Sequence, residues 1–137
     1  MKLLYRKLHG YKYELLHDYQ YNTPIKIEED TGNGYVSISK DGVLFIKERY
    51  AWDGPSGPTI DTKTFMRGAL IHDALYQLIR RGYLPKAFRK QADLILKDIC
   101  LEDGMSKFRA WYVYNSVRMF GGFTLKSKKP VSEVISI

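Results

Sequence analysis

The chain changes character near residue 50. Before it, apolar and polar positions alternate in short runs; after it, apolar positions recur every three to four residues. "YKYELLHDYQY", from Tyr11, alternates irregularly and is rich in tyrosine. "IKIEE" follows Pro24, which restricts it to an edge or starting position in a sheet. "TGNGYVSIS" carries an Asn33-Gly34 turn pair before Tyr35, Val36 and Ile38, and "KDGVLFIKERY" carries the hairpin signal Asp41-Gly42. These runs predict a small antiparallel meander from about Lys12 to Tyr50. Gly54, Pro55, Gly57 and Pro58 then impose a loop.

Three helices are predicted next. The first starts at Asp61 or Thr62 and ends by Gly82; the second has Pro85 in its first turn and ends at Gly104. The third is capped by Ser106 and stops at Gly121-Gly122. It is apolar nearly all round (Trp111, Tyr112, Tyr114, Val117, Phe120) and is expected to be central. The fold class expected is α+β, an N-terminal antiparallel meander packed on a C-terminal three-helix unit. Residues 1–125 are expected to make one domain, and 126–137 a basic, then β-prone tail, either disordered or docking on a partner. Val131, Val134, Ile135 and Ile137 give that tail an apolar face that a partner could cover.

A length of 137 residues suits one core, and 45% apolar with 27% charged residues is ordinary globular composition. The net charge of +7 favours contact with nucleic acid, anionic lipid or an acidic protein surface. A single cysteine, Cys100, excludes an intrachain disulfide. The N-terminal run is too short in apolar residues for a signal peptide, and nothing reaches the roughly 20 apolar residues of a membrane span.

The candidate chemistry starts at "HDALY". On a wheel of about 100° per residue, His72 lies on the face of Phe65, Gly68, Ala69, Leu75, Tyr76 and Ile79, with Lys63, Arg67, Gln77 and Arg81 opposite. The small residues Gly68 and Ala69 suit either a pocket or close helix packing. A buried imidazole needs partners for its nitrogens, and a carboxylate partner would fix its tautomer and raise its basicity. Asp93 is the candidate, because the hairpin about residues 82–84 brings both to similar heights. The wheel of the second helix argues otherwise. It puts Asp93 among Lys86, Arg89, Lys90 and Lys97 and favours exposed ion pairs with Arg89 and Lys97. Asp53, in "WDGPSGP" after Trp52, reads first as a turn cap; with Gly54 giving the loop freedom, it could also share Ca²⁺ with Asp73. Arg118 and Asn115 share a face with Trp111 and need partners; Glu102, Asp103 or Asp73 could serve Arg118. Arg80, Arg81, Lys86, Arg89, Lys90 and Lys97 form a basic stripe able to contact phosphates.

Four motifs in order, a strand, Asp53-Gly54-Pro55-Ser56 with Pro58, His72-Asp73-Ala74-Leu75-Tyr76 and Arg89-Lys90-Gln91-Ala92-Asp93, followed by "WYVYNSVRMFGG", resemble the phage and prophage proteins of the domain-of-unknown-function 1353 family. The resemblance spans about Tyr13 to Gly122 and implies a phage setting without an activity. "HDALY" also resembles the His-Asp helix of phospholipase A2 enzymes. That likeness implies His72 as general base, Asp73 as a Ca²⁺ ligand, Asp93 as the group that orients His72, and the "WDGPSGP" loop in the place of the Ca²⁺ loop.

Together these readings give the expectation of a phage-encoded accessory or virion-associated structural or interaction protein. In it His72, Asp73, Tyr76 and Asp93 form a buried polar brace, supported by Arg89, Trp52, Gly54 and Arg118. Its partners would be other phage proteins or further copies of itself, in a virion or the host cytoplasm. The alternative is a hydrolase of esters or phosphoesters using a His72–Asp93 dyad with Ca²⁺ held at Asp53 and Asp73. Phosphate-backbone binding of nucleic acid is the third.

Overall fold

The computed structural model describes residues 2–8, 12–53 and 62–126. Over these the chain is α+β: antiparallel strands in two sheets, seven strands among the described residues, precede three helices. It divides into two compact units, one ending at Trp52 and the other beginning at Asp53. The tail positions Val131, Val134, Ile135 and Ile137 lie outside the described residues.

In the first unit, β1 (Tyr5–Lys7) and β2 (Lys12–Leu15) precede β3 (Tyr19–Asn22), β4 (Thr31–Gly32), β5 (Val36–Ile38) and β6 (Val43–Ile46), and β7 (Ala51–Asp53) closes the series. One sheet has the order β1-β2-β7 and the other β3-β6-β5-β4. The two-residue period of a strand decides what is buried. Val36, Ile38, Leu44 and Ile46 are enclosed, Ser37 and Phe45 between them less so, and the register pairs Val36 with Ile46 and Ile38 with Leu44. The Asp41-Gly42 turn joins β5 to β6. Gly42 has φ +96°, and a Cβ there would run into the carbonyl oxygens of Thr23 and Ile25.

A single meander is not what forms. The segments β4, β5 and β6 are consecutive neighbours, but β3 pairs with β6, and β2 belongs to the other sheet. The expected strand "IKIEE" is absent. Pro24 offers no N–H to a ladder, and the Thr23 hydroxyl takes over locally, donating to the Gly42 carbonyl at 2.8 Å and accepting from the Ile25 N–H at 3.1 Å. Ile25 is buried all the same. Strand β1, which the pattern did not announce, pairs Tyr5 with Leu15 and Lys7 with Tyr13. Trp52 is buried with its ring 6.0 Å from those of Tyr5 and Tyr13. Its role is therefore to fill the core of this unit.

The second unit consists of α1 (Thr62–Arg80), α2 (Arg89–Glu102) and α3 (Lys107–Lys126). Gly82 and Gly104, at φ +83° and +100°, end α1 and α2 where the sequence placed the stops. Pro85 leads into one 3₁₀ turn (Lys86–Phe88) before α2 begins. Helix α2 packs against both α1 and α3. A Cβ on Gly68 would lie 2.9 Å from Leu96 Cδ1 and 3.1 Å from Cys100 Sγ, so α2 fills the space beside Gly68, and that glycine serves close packing. Two residues assigned by the wheel to the outer face of α1 are engaged instead. Gln77 is buried, and Arg67 grips Asp103 with Nε (3.1 Å) and Nη2 (2.9 Å) while also reaching Glu102 at 2.9 Å.

Helix α3 departs most from expectation. It runs through Gly121-Gly122 to Lys126, and it is not central. Its inner side is narrow and small, built on Ala110, Val113 and Gly121, while Phe108, Trp111, Tyr112, Met119 and Phe120 are exposed. Asn115 and Ser116 satisfy themselves within the helix, on the Trp111 and Tyr112 carbonyls.

Cys100 sits in the cluster of Leu96, Met105, Ala110 and Val113. Burial first, and the nearby Asp103 charge second, push its thiol up to about 12. Native protein should therefore resist alkylation by iodoacetamide at mildly alkaline pH and react fully once denatured. Labelling of the native protein at the rate of a free thiol would contradict this packing.

Candidate functional site

Asp93 lies in the first half of α2, and its side chain is 0% exposed. The carboxylate is shared by the two flanking helices. From α1, His72 Nε2 approaches Oδ1 at 2.7 Å and the Tyr76 hydroxyl donates to the same oxygen at 2.6 Å. From α3, Arg118 Nη1 donates to Oδ2 at 2.9 Å. His72 and Tyr76 are one helical turn apart, so both reach one acceptor, and their rings lie 4.1 Å centre to centre.

The exposed ion pairs that the α2 wheel favoured for Asp93 do not form. A helix packed on one neighbour buries its apolar stripe alone. Helix α2 has two neighbours, so its buried arc extends past the stripe to include Asp93. Arg89 turns inward as well. Its Nε donates to the Tyr76 hydroxyl at 3.2 Å, and Nη2 donates to the carbonyls of Val117 (3.0 Å) and Arg118 (2.6 Å). Lys97 lies over the Tyr114 ring, 5.5 Å from its centre. The basic stripe is thus interrupted at Arg89 and Lys97.

Gly121 of α3 has a steric reason. A Cβ on Gly121 would collide with the Tyr76 hydroxyl, and one on Gly122 would stand 3.7 Å from the Arg89 guanidinium carbon. These residues are not a helix stop. Gly121 lets α3 come close to Tyr76, beside the Arg89 and Arg118 bonds, whereas a side chain at 122 would make only ordinary contact with Arg89.

Burial alone would push the Asp93 carboxyl up. Hydrogen bonds from His72 and Tyr76, the charge attraction of His72, and the Arg118 bond outweigh it, so the group stays below its ordinary value of 3.8. Asp93 is therefore ionised at neutral pH and can only accept. It follows that His72 carries its proton on Nε2 and, when neutral, a lone pair on Nδ1. No hydrogen bond to Nδ1 is found among the described residues, and the His72 side chain is 13% exposed. Burial, then the bond to Asp93, raises the Tyr76 hydroxyl above its usual 10.0, which keeps it a donor.

Arg118 binds neither Glu102, Asp103 nor Asp73; the first two are held by Arg67. Asp73 is half-buried on α1. The side chain of Asp53 and all of Gly54, the other part of the expected Ca²⁺ site, lie outside the described residues. Among the described residues, no group of three or more His, Cys, Asp or Glu side chains could hold a metal ion. The sequence made Arg118 a support of the brace, but its partner Asp93 and the role of Gly121 escaped sequence reasoning. A glycine pair inside an otherwise apolar helix, with a tyrosine on another helix, was the available signal.

No family model, curated protein or solved structure matches this chain. Function must therefore be read from the site itself.

Two outcomes test this geometry. The folded carboxyl of Asp93 ionises at lower pH than the unfolded one, so its stabilisation is full above 3.8 and is lost as pH falls through the folded value. Asp93→Asn should cost about 3 kcal/mol at neutral pH, for it leaves Arg118 without its buried partner. In urea titrations the gap from wild type should close as the solution is acidified past that range. Gly121→Ala gains roughly 1 kcal/mol of helix propensity but should lose about 2 kcal/mol net through the clash with Tyr76. Pairing it with Tyr76→Phe should make the two changes less than additive.

Proposed function

We propose that this chain is a structural or interaction module, an accessory or virion-associated protein of a phage, whose Asp93 brace holds α3 in place as a contact surface. The observation that carries the reading is the exposed aromatic face of α3 on a helix pinned from behind. Arg118 and the carbonyls bonded by Arg89 fix α3 to α2, and α2 is fixed to α1 by His72 and Tyr76. A helix so fixed presents Phe108, Trp111, Tyr112 and Met119 to solvent at no further ordering cost. The phage setting rests on the motifs between Asp53 and Asp93 that resemble the domain 1353 family, and a virion or the host cytoplasm is the location that goes with it. No helix among the described residues is long and apolar enough to cross a membrane.

A second reading is favoured by one specific observation. His72 is bonded to Asp93 through Nε2, which leaves the neutral ring a lone pair on Nδ1, and its side chain is 13% exposed. That is the arrangement of a general base oriented by a carboxylate. In this reading Nδ1 takes a proton from water attacking an ester or phosphoester, and Asp93 stabilises the imidazolium. Asp73, with Asp53, would supply oxygen ligands if Ca²⁺ takes part.

One substitution separates the two. His72→Gln retains an N–H donor for Asp93 and removes the basic nitrogen. As a brace, it should cost about 1–2 kcal/mol in stability and leave biological complementation of a gene deletion intact. Loss of complementation together with loss of hydrolysis of chromogenic esters or phosphodiesters, in a variant that melts normally, would transfer the case to the enzyme.

A further inference from the structure

We propose that the aromatic face of α3 seats this protein on an anionic lipid surface. The proposal rests on reading α3 as the contact surface and names what it contacts.

Three observations lead there. The first is chemical identity. Phe108, Trp111, Tyr112 and Met119 are 74%, 56%, 56% and 69% exposed, and Phe120 beside them is 61% exposed. With aromatic side chains of some 200 Å² each, this is on the order of 500 Å² of apolar surface, near the upper limit for a protein that stays alone in water. It holds no branched aliphatic residue of the kind that fills a helix–helix seam. Phe, Trp and Tyr are instead the side chains that settle at the headgroup level of a bilayer.

The second is charge. Over its 20 residues α3 carries Lys107, Arg109, Arg118 and Lys126 and no Asp or Glu. At about 100° per residue, Lys107 and Arg109 lie on either side of the aromatic strip. A second copy laid face to face would bring cations against cations, in a chain already at +7. An anionic surface is attracted by the same residues.

The third is shape. The strip from Phe108 to Met119 is a single helix face about 17 Å long, with Phe120 at its border, not a groove that would enclose a peptide. No described helix can span a bilayer, so α3 would lie along the interface.

The test is co-sedimentation of the full chain with vesicles of phosphatidylcholine alone and of phosphatidylcholine with phosphatidylglycerol. Binding should be about tenfold or more stronger to the anionic vesicles and should weaken as salt rises. Phe108→Ser with Trp111→Ser should reduce it by at least tenfold, and Lys107→Glu with Arg109→Glu should abolish the preference for phosphatidylglycerol. Both pairs avoid the Asp93 site, and an unchanged melting temperature establishes that they fold. Equal binding to both vesicles, absence of binding, or binding that survives Phe108→Ser with Trp111→Ser overturns the proposal. Analytical ultracentrifugation without lipid distinguishes a failure of the proposal from a failure of the broader reading. If vesicles do not bind and the same serine pair dissolves a dimer, α3 is a contact surface and its partner is a second copy. If neither lipid nor a dimer involves the strip, both readings fall.

Discussion

One buried negative charge organises the helical unit. Asp93 has no contact with water, and its two oxygens are supplied by donors from α1 on one side and α3 on the other. A carboxylate so placed is strongly destabilising with any of its donors missing and acceptable with all of them present. It therefore couples the three helices through one group. The second tier extends the coupling. Arg89 holds the Tyr76 hydroxyl and two carbonyls of α3, so the phenol, the guanidinium and the carboxylate are positioned by one another.

Seen from this charge, the two functional readings make opposite uses of the same atoms. For the brace, His72 is one of three donors and its Nδ1 is incidental. For the hydrolase, Nδ1 is the purpose, and Tyr76 and Arg118 exist to keep Asp93 ionised. The lipid-facing role of α3 is compatible with either, because the lock that orients His72 is also the lock that fixes the aromatic strip.

Much of the fold could be read from the sequence where local chemistry decides. The hairpin at Asp41-Gly42, the helix ends at Gly82 and Gly104, and the start of α2 after Pro85 follow from backbone preferences that neighbours do not override. Sheet order could not be read, because pairing β3 with β6 depends on long-range register and not on any single turn. The site was legible in part. Helix register about the 82–84 turn put His72 and Asp93 at one height, and they are bonded. The wheel of α2 pointed away from that pair because a wheel assumes one covering neighbour. The same assumption, reversed, misplaced α3: its apolar residues were expected inside, but small residues take the inner side and the large aromatics remain outside.

The separations along the chain carry a kinetic consequence. The partners of Asp93 stand 17, 21 and 25 residues from it. Loops of that length close quickly and at small entropic cost, and units wired by such short closures fold fast. The groups that compensate the interior charge thus all come from neighbouring stretches of the chain, and none has to be brought from the strand half.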